Sequence, residues 1–298
     1  MDIKELVRQL EQNIRVTQKD AEQAASLERL KFISKNYQGD DEIISTLDLI
    51  DEIKNRGEEY KINTGYKSLD DILGGFRLGQ LIVLSAQTKS GKTSMAVDIT
   101  VHTRTENPLW FPFEEGGEEL VRKFLERGEE PPLFYLPRQN VTNDMVWLEK
   151  KIIESIAKHN TRLVFIDHLD FIVPFNTDRH DLLVAKTTRD LKQLAKKWNI
   201  VIVLICHLKK AKMDTQPDLE SLRGSASIAQ EADTVIILWR QAERQNGAMV
   251  ITDNVNVSVQ ANRRTGKTGN IRMQYDNGKF IQTEWKTIDD EFDALTKK

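Results

Sequence analysis

The sequence predicts an α/β fold in which a mostly parallel central sheet carries a phosphate-binding loop and a small helical segment precedes it. Three observations lead there. Residues 81–93, LIVLSAQTKSGKT, pass from a short apolar strand into a Gly-Lys-Thr loop that residues 94–105 can continue as a helix. Two further apolar runs, 163–167 and 200–205, end by delivering a polar side chain, the pattern of buried parallel strands whose carboxyl ends carry the chemistry. Helical spacing of apolar residues returns between these runs.

Composition narrows the choices. The 298 residues, 39% hydrophobic and 30% charged, suffice for one substantial core plus an appendage. No apolar run reaches membrane length, and the N-terminus lacks the basic-then-apolar pattern of a secretory signal, so no membrane partner and a cytoplasmic address are expected. The single cysteine, Cys206, excludes an intrachain disulfide and a thiolate zinc cluster. A net charge of −3 argues against a basic nucleic-acid coat, so any DNA contact must come from a local patch.

Taken in order, residues 1–60 form a polar, helix-favouring prefix without a catalytic pattern. Ile3, Leu6, Val7, Leu10 and Ile14 recur at helical spacing, as do Ile43, Ile44, Leu47, Ile50 and Ile53. Each stripe needs a partner surface, in this chain or in a neighbouring subunit. Glycines within 64–79 then mark tight turns ahead of the first long strand. In the loop Ala86-Gln87-Thr88-Lys89-Ser90-Gly91-Lys92-Thr93, backbone N–H groups and the helix N-terminus beginning near Ser94 are placed to cradle phosphate. Lys92 is placed to reach the β- and γ-phosphates, and Thr93 to sit on Mg²⁺. Ala86 stands where the common pattern has glycine. The same relaxed pattern recurs at 261–268, but a strand and a turn follow it. With no helix to face a phosphate, that copy reads as a basic hairpin tip.

Residues 108–113 read as the next strand and end at Glu114, placed to polarise a water attacking the γ-phosphate, while Glu115, Glu118 and Glu119 fit a solvated helix start. Residues 163–166 deliver Asp167 as a Mg²⁺ carboxylate. His168 and Asp170 carry no assigned role. Residues 178–198 read as an amphipathic helix with Leu182, Leu183, Ala185, Leu191, Leu194 and Ala195 on or near its buried side. The run 200–205 delivers His207, placed to sense the γ-phosphate. Lys209, Lys210 and Lys212 crowd a loop containing Pro217, and Arg223, Gly224 and Ser225 follow. This cluster suits a nucleic-acid phosphate backbone or a solvated basic loop. A strand at 234–239 and a hairpin over 256–280 complete the sheet.

Four motifs after the phosphate loop occur in a telling order: Phe165-Ile166-Asp167-His168, then Ile205-Cys206-His207-Leu208-Lys209, then Ser221-Leu222-Arg223-Gly224-Ser225, then Arg263-Arg264-Thr265-Gly266-Lys267-Thr268-Gly269. With them, residues 64–280 resemble the RecA-fold motor of the DnaB-family hexameric replicative helicases, most closely the phage primase-helicase and mitochondrial Twinkle branch. In this family the Ala86 position is often alanine.

The resemblance implies a RecA-like ATPase domain over 61–284, a helical N-terminal segment over 1–40, a linker helix over 41–60 that packs on the adjacent subunit, and an acidic tail over 285–298. It implies that Glu114 is the catalytic glutamate and His207 the γ-phosphate sensor, and that the segment from Lys209 to Ser225 grips single-stranded DNA. Arg263 falls at the arginine finger offered to the ATP of a neighbouring subunit, with Arg264 as the alternate and Ala261 where relatives usually carry lysine. Arg240 and Tyr275 resemble a pair that sandwiches the adenine. A homohexamer using ATP or another NTP and Mg²⁺ to move 5′ to 3′ on single-stranded DNA is implied, with a separate primase and with a tail around Phe292 that either docks a polymerase, as in phage relatives, or is disordered. Two other classes stay open from the residues: a RecA-like recombination or assembly ATPase that coats DNA without unwinding it, and a DNA-independent ATPase switch.

Overall fold

The computed structural model of the protein describes residues 3–35, 43–55, 57–87, 90–128, 130–173, 180–208, 216–222, 225–245 and 248–284. The chain divides into two compact units, Met1–Glu59 and Tyr60–Lys298.

Among the described residues the first unit holds two helices, α1 (Ile3–Lys35) and α2 (Thr46–Asn55). Ser45 and Asp48 cap α2 reciprocally: the Asp48 N–H donates to Ser45 Oγ and the Ser45 N–H to Asp48 Oδ2. α2 buries none of its residues, and Leu47 is 72% exposed with Ile50 and Ile53 also in solvent. The second stripe seen in the sequence is therefore an uncovered apolar face.

In the second unit a short antiparallel pair, β1 (Lys61–Ile62) and β2 (Phe76–Arg77), brackets α3 (Lys67–Leu73). The chain then enters β3 (Leu81–Ala86), α4 (Lys92–His102), β4 (Leu109–Pro112), α5 (Gly117–Glu126), α6 (Met145–His159), β5 (Leu163–Asp167), α7 (His180–Lys197), β6 (Val201–His207) and α8 (Ser225–Glu231). Four strands close the fold: β7 (Thr234–Gln245), β8 (Ala248–Asn262), β9 (Gly269–Asp276) and β10 (Lys279–Glu284). The eight-stranded sheet runs β10-β9-β8-β7-β3-β6-β5-β4. Its β7-β3-β6-β5-β4 portion is parallel and the β8-β9-β10 meander antiparallel.

Because successive side chains alternate faces, each parallel strand feeds two cores. Ile82, Leu84, Trp110, Phe165 and Val203 pack with Met95 and Ile99 of α4 and with Leu120 and Phe124 of α5. Leu81, Val83, Phe111, Val164 and Ile202 pack against Leu148 and Ile152 of α6 and Leu191 and Ala195 of α7. On α7 the expected buried side needs one correction. Leu182 is 63% exposed, and Val184, Thr187 and Thr188 take the core positions in the first half of the helix. The β9–β10 turn follows the sequence closely, since Asn277 and Gly278 both have positive φ, the geometry of a two-residue hairpin.

Candidate active site

Strand register brings the polar strand ends together. In the parallel ladder Ala86 lies opposite His207, Asp167 opposite Ile205, and Pro112 opposite Asp167, so β3, β4, β5 and β6 all terminate at one edge. Two main-chain bonds extend the β4–β5 pairing past the strands: the N–H groups of Phe113 and Glu114 donate to Asp167 O at 2.8 and 3.2 Å. Residues separated by up to 115 positions in the chain thereby meet at side-chain range.

The loop after β3 accounts for its own departures. Ala86 is fully buried and pairs as the last strand residue, in extended backbone, so its methyl occupies no strained position. Gly91 is different: at φ +90 it caps α4, and a Cβ there would lie 3.1 Å from the Phe280 ring. Ser90 is buried, with its N–H donating to Gln87 O. α4 opens at Lys92, two residues earlier than the sequence suggests, which sets Thr93 and Ser94 in its first turn. Lys89 lies outside the described residues.

Lys92 is 7% exposed, and its Nζ lies 3.1 Å from His207 Nδ1. Burial lowers the Lys92 pKa, opposed by the carboxylates of Asp167 and Glu114. His207 is pushed down to about 4 by burial, by the Lys92 ammonium and by His168. These shifts agree with the contact, because only a neutral imidazole can accept from an ammonium. Thr93 Oγ1 donates to Asp167 Oδ2 at 2.7 Å. Asp167 Oδ1 is buried without a partner among the described residues, and burial raises the Asp167 pKa. An orphaned carboxylate oxygen beside a threonine hydroxyl is a hard-oxygen donor set that fits Mg²⁺.

Glu114 follows β4 on the turn into α5, and its Oε2 lies 2.9 Å from His168 Nδ1 and 4.0 Å from His207 Nε2. The Nε2 of His168 faces Asp170 Oδ2 at 3.6 Å. Burial opposes a charge on His168, but the contact with Asp170 and the charges of Glu114, Asp170 and Asp167 outweigh it, so its pKa is raised. Glu114, His168 and His207 bring three possible ligand atoms within 4.8 Å of one another. Two imidazoles are poor Mg²⁺ ligands, and the hydrogen bond between His168 and Glu114 already satisfies two members of the set. His168 and Asp170 are the site residues whose part the sequence left unassigned. The one signal was their position within three residues after Asp167.

Arg240 and Tyr275 do meet, but as a closed stack: the guanidinium carbon lies 5.0 Å from the ring centroid while its nitrogens donate to Thr252 O and Asp253. A base can join this pair by parting it or by using the adjoining cavity of about 440 Å³, lined by Ser94, Arg127, Tyr275 and Asn277 among others. Arg263 and Arg264 are exposed at the β8–β9 tip, as the hairpin reading of 261–268 requires. The Arg263 N–H donates to Asp233 O, and the Asp233 N–H donates to Leu81 O at the start of β3. The tip therefore lies at the sheet edge opposite the phosphate loop, a β3 length away, on the order of 20 Å. Lys209, Lys210, Lys212, Arg223 and Gly224 lie outside the described residues, and for Ser225 only the backbone, as the first residue of α8, is described.

The comparisons with known proteins decide the family. Residues 61–130 and 134–282 match the model of the DnaB-like helicase C terminal domain. The chain belongs to this family. Within it, the chain is 25% identical over 283 residues to the replicative DNA helicase DnaC of Bacillus subtilis and 25% identical over 281 residues to the replicative DNA helicase DnaB of Geobacillus stearothermophilus. Each alignment covers 82% of this chain and 62% of the relative, so the chain spans somewhat under two thirds of these curated proteins. Two solved structures share its fold. One, an ATPase domain, aligns with a TM-score of 0.65 at 18% identity, over 80% of this chain and 97% of that domain. The other, a DnaB-like replicative helicase solved in a study of its interactions with primase, aligns with a TM-score of 0.68 at 17% identity, over 92% of this chain and 76% of its own. These likenesses establish a RecA-like ATPase fold. No helix among the described residues is long and apolar enough to cross a membrane.

Proposed function

We propose that the protein is an ATP-dependent, replicative-type DNA helicase that moves along single-stranded DNA as a ring of identical subunits. One observation carries the reading: Lys92, Thr93, Asp167, Glu114 and His207 converge at one edge of the sheet, while Arg263 stands at the other. A site so divided is completed by a second copy.

In this reading the loop N–H groups and Lys92 bind the β- and γ-phosphates. Thr93 and Asp167 would hold Mg²⁺, which would supply charge neutralisation for the phosphates. Glu114 orients and deprotonates the attacking water. His207 exchanges its bond with Lys92 for one with the γ-phosphate, so its orientation reports whether that phosphate is present. Arg263 of one subunit stabilises the charge that develops in the site of the next. The uncovered face of α2 supplies the apolar part of the subunit contact, with 41–60 as linker, 61–284 as motor, 1–40 as a helical segment and 285–298 as a tail. Arg240 and Tyr275 take the base. The basic stretch from Lys209 to Ser225 holds the DNA strand.

The test is unwinding of a fork with a free 5′ tail, with ATP turnover followed in the same tube with and without single-stranded DNA. Unwinding with DNA-stimulated turnover is the expected result. Stimulated turnover without strand separation would point instead to an ATPase that coats DNA, and turnover indifferent to DNA to a switch.

A further inference from the structure

The proposed mechanism leaves His168 without a task, although its side chain is only 8% exposed and stands among the groups that have one. Its Nδ1 is 2.9 Å from Glu114 Oε2, and its Nε2 faces Asp170. Its ring meets Phe171 edge-on at 4.9 Å and His207 edge-on at 4.2 Å. Glu114 is held much less firmly. Its side chain is 41% exposed, on a turn that runs into Gly116 and Gly117, and among the described residues His168 is its hydrogen-bond partner. A carboxylate with three rotatable bonds on such a turn samples many positions, and misplacing a catalytic group by about 1 Å costs on the order of 100-fold in rate.

We propose that His168, oriented by Asp170 and packed edge-on with Phe171 and His207, is a positioning residue that fixes the Glu114 carboxylate beside the Lys92–His207 pair. The inference rests on the reading of Glu114 as the base. It assigns the two nitrogens different work: Nδ1–H holds Glu114, while the Nε2 side serves to set the ring angle through Asp170. The strand register makes the arrangement possible, since His168 leaves β5 one residue after Asp167 and Glu114 leaves β4 two residues after Pro112, its partner across the ladder.

The experiment measures kcat, KM and nucleotide affinity of the full chain for His168→Phe, His168→Asn, His168→Gln and Asp170→Asn, and repeats His168→Phe in a Glu114→Gln background under single-turnover conditions. His168→Phe keeps the packing and removes the donor, so kcat is expected to fall about 10- to 100-fold with KM and affinity within about twofold. An asparagine nitrogen falls near the Nδ1 position and a glutamine nitrogen near Nε2, so His168→Asn should recover to within about fivefold of wild type while His168→Gln does not. Asp170→Asn should lower kcat by a smaller factor at unchanged affinity. In the Glu114→Gln background the Phe substitution should change nothing more, because the group it positions is gone. Should His168→Phe fail to fold, the Asn–Gln comparison carries the test alone. Equal rates for Asn and Gln, or a Phe effect undiminished beside Glu114→Gln, would overturn the proposal, as would an active His168→Phe alongside a dead Glu114→Gln. An active Glu114→Gln would overturn the reading of the base itself, and this proposal with it.

Discussion

Lys92 donates to His207 only while the imidazole is neutral, and the neighbourhood of the ring keeps it so. The folded pKa of about 4 lies below the unfolded value of 6.5, so between those pH values the unfolded chain binds the additional proton. His207 therefore contributes stability that is complete above pH 6.5 and is lost as pH falls toward 4. A urea midpoint measured across that range should fall more steeply for wild type than for His207→Gln; parallel slopes would refute the linkage. On the proposed mechanism, Glu114→Gln should bind ATP normally and turn it over about 100-fold or more slowly, a split that nucleotide binding and steady-state assays resolve together. Glu114, Asp167 and His207 were legible in the sequence because each follows an apolar run directly, and residues at the carboxyl ends of parallel strands share an edge. The partnership of His168 with Glu114 was not legible. It spans 54 residues and exists only because β4 lies beside β5, an adjacency that no local pattern states.

Among the elements, α4 is tied down by a buried knot that periodicity could not reveal. Asp98 on α4 accepts from Tyr66 Oη, from the Arg127 guanidinium and from the Phe280 N–H, while Arg127 also donates to Gly278 O. The helix that begins at the phosphate loop is thus bound to α5 and to the β9–β10 turn. Asp98→Ala leaves a buried arginine uncompensated and should cost about 3–5 kcal/mol in denaturant unfolding. A loss below about 1 kcal/mol would mean that water reaches Arg127. α2 presents the opposite case, a face that the sequence showed plainly and whose partner it could not name. If that face meets another subunit, Leu47→Glu with Ile50→Glu should leave the helix formed and dissociate the assembly, as read by sedimentation velocity. The exposed Leu182 has a simpler lesson: stripe counting places residues near the seam of a helix only to within a position or two, and there Val184 took the core.

For the molecule as a whole, the separation of Arg263 from the phosphate loop sets how subunits would have to meet in the proposed assembly. The surface bearing the hairpin tip differs from the surface bearing the nucleotide edge, so a contact that joins them would be head-to-tail, and such contacts close into rings or continue as filaments. Arg263→Ala and Glu114→Gln should each be inactive as uniform assemblies. Mixed together they should regain activity where an intact Glu114 faces an intact Arg263, measured as ATP turnover against mixing ratio. No regain would place the finger elsewhere. On the proposed mechanism this layout makes hydrolysis sensitive to dilution. If Arg263 completes the site of a neighbour as proposed, a lone chain is silent, so turnover per chain should rise with protein concentration and level off once neighbours are in place. On that mechanism, how much of the protein gathers in one location governs hydrolysis as much as how much ATP is supplied.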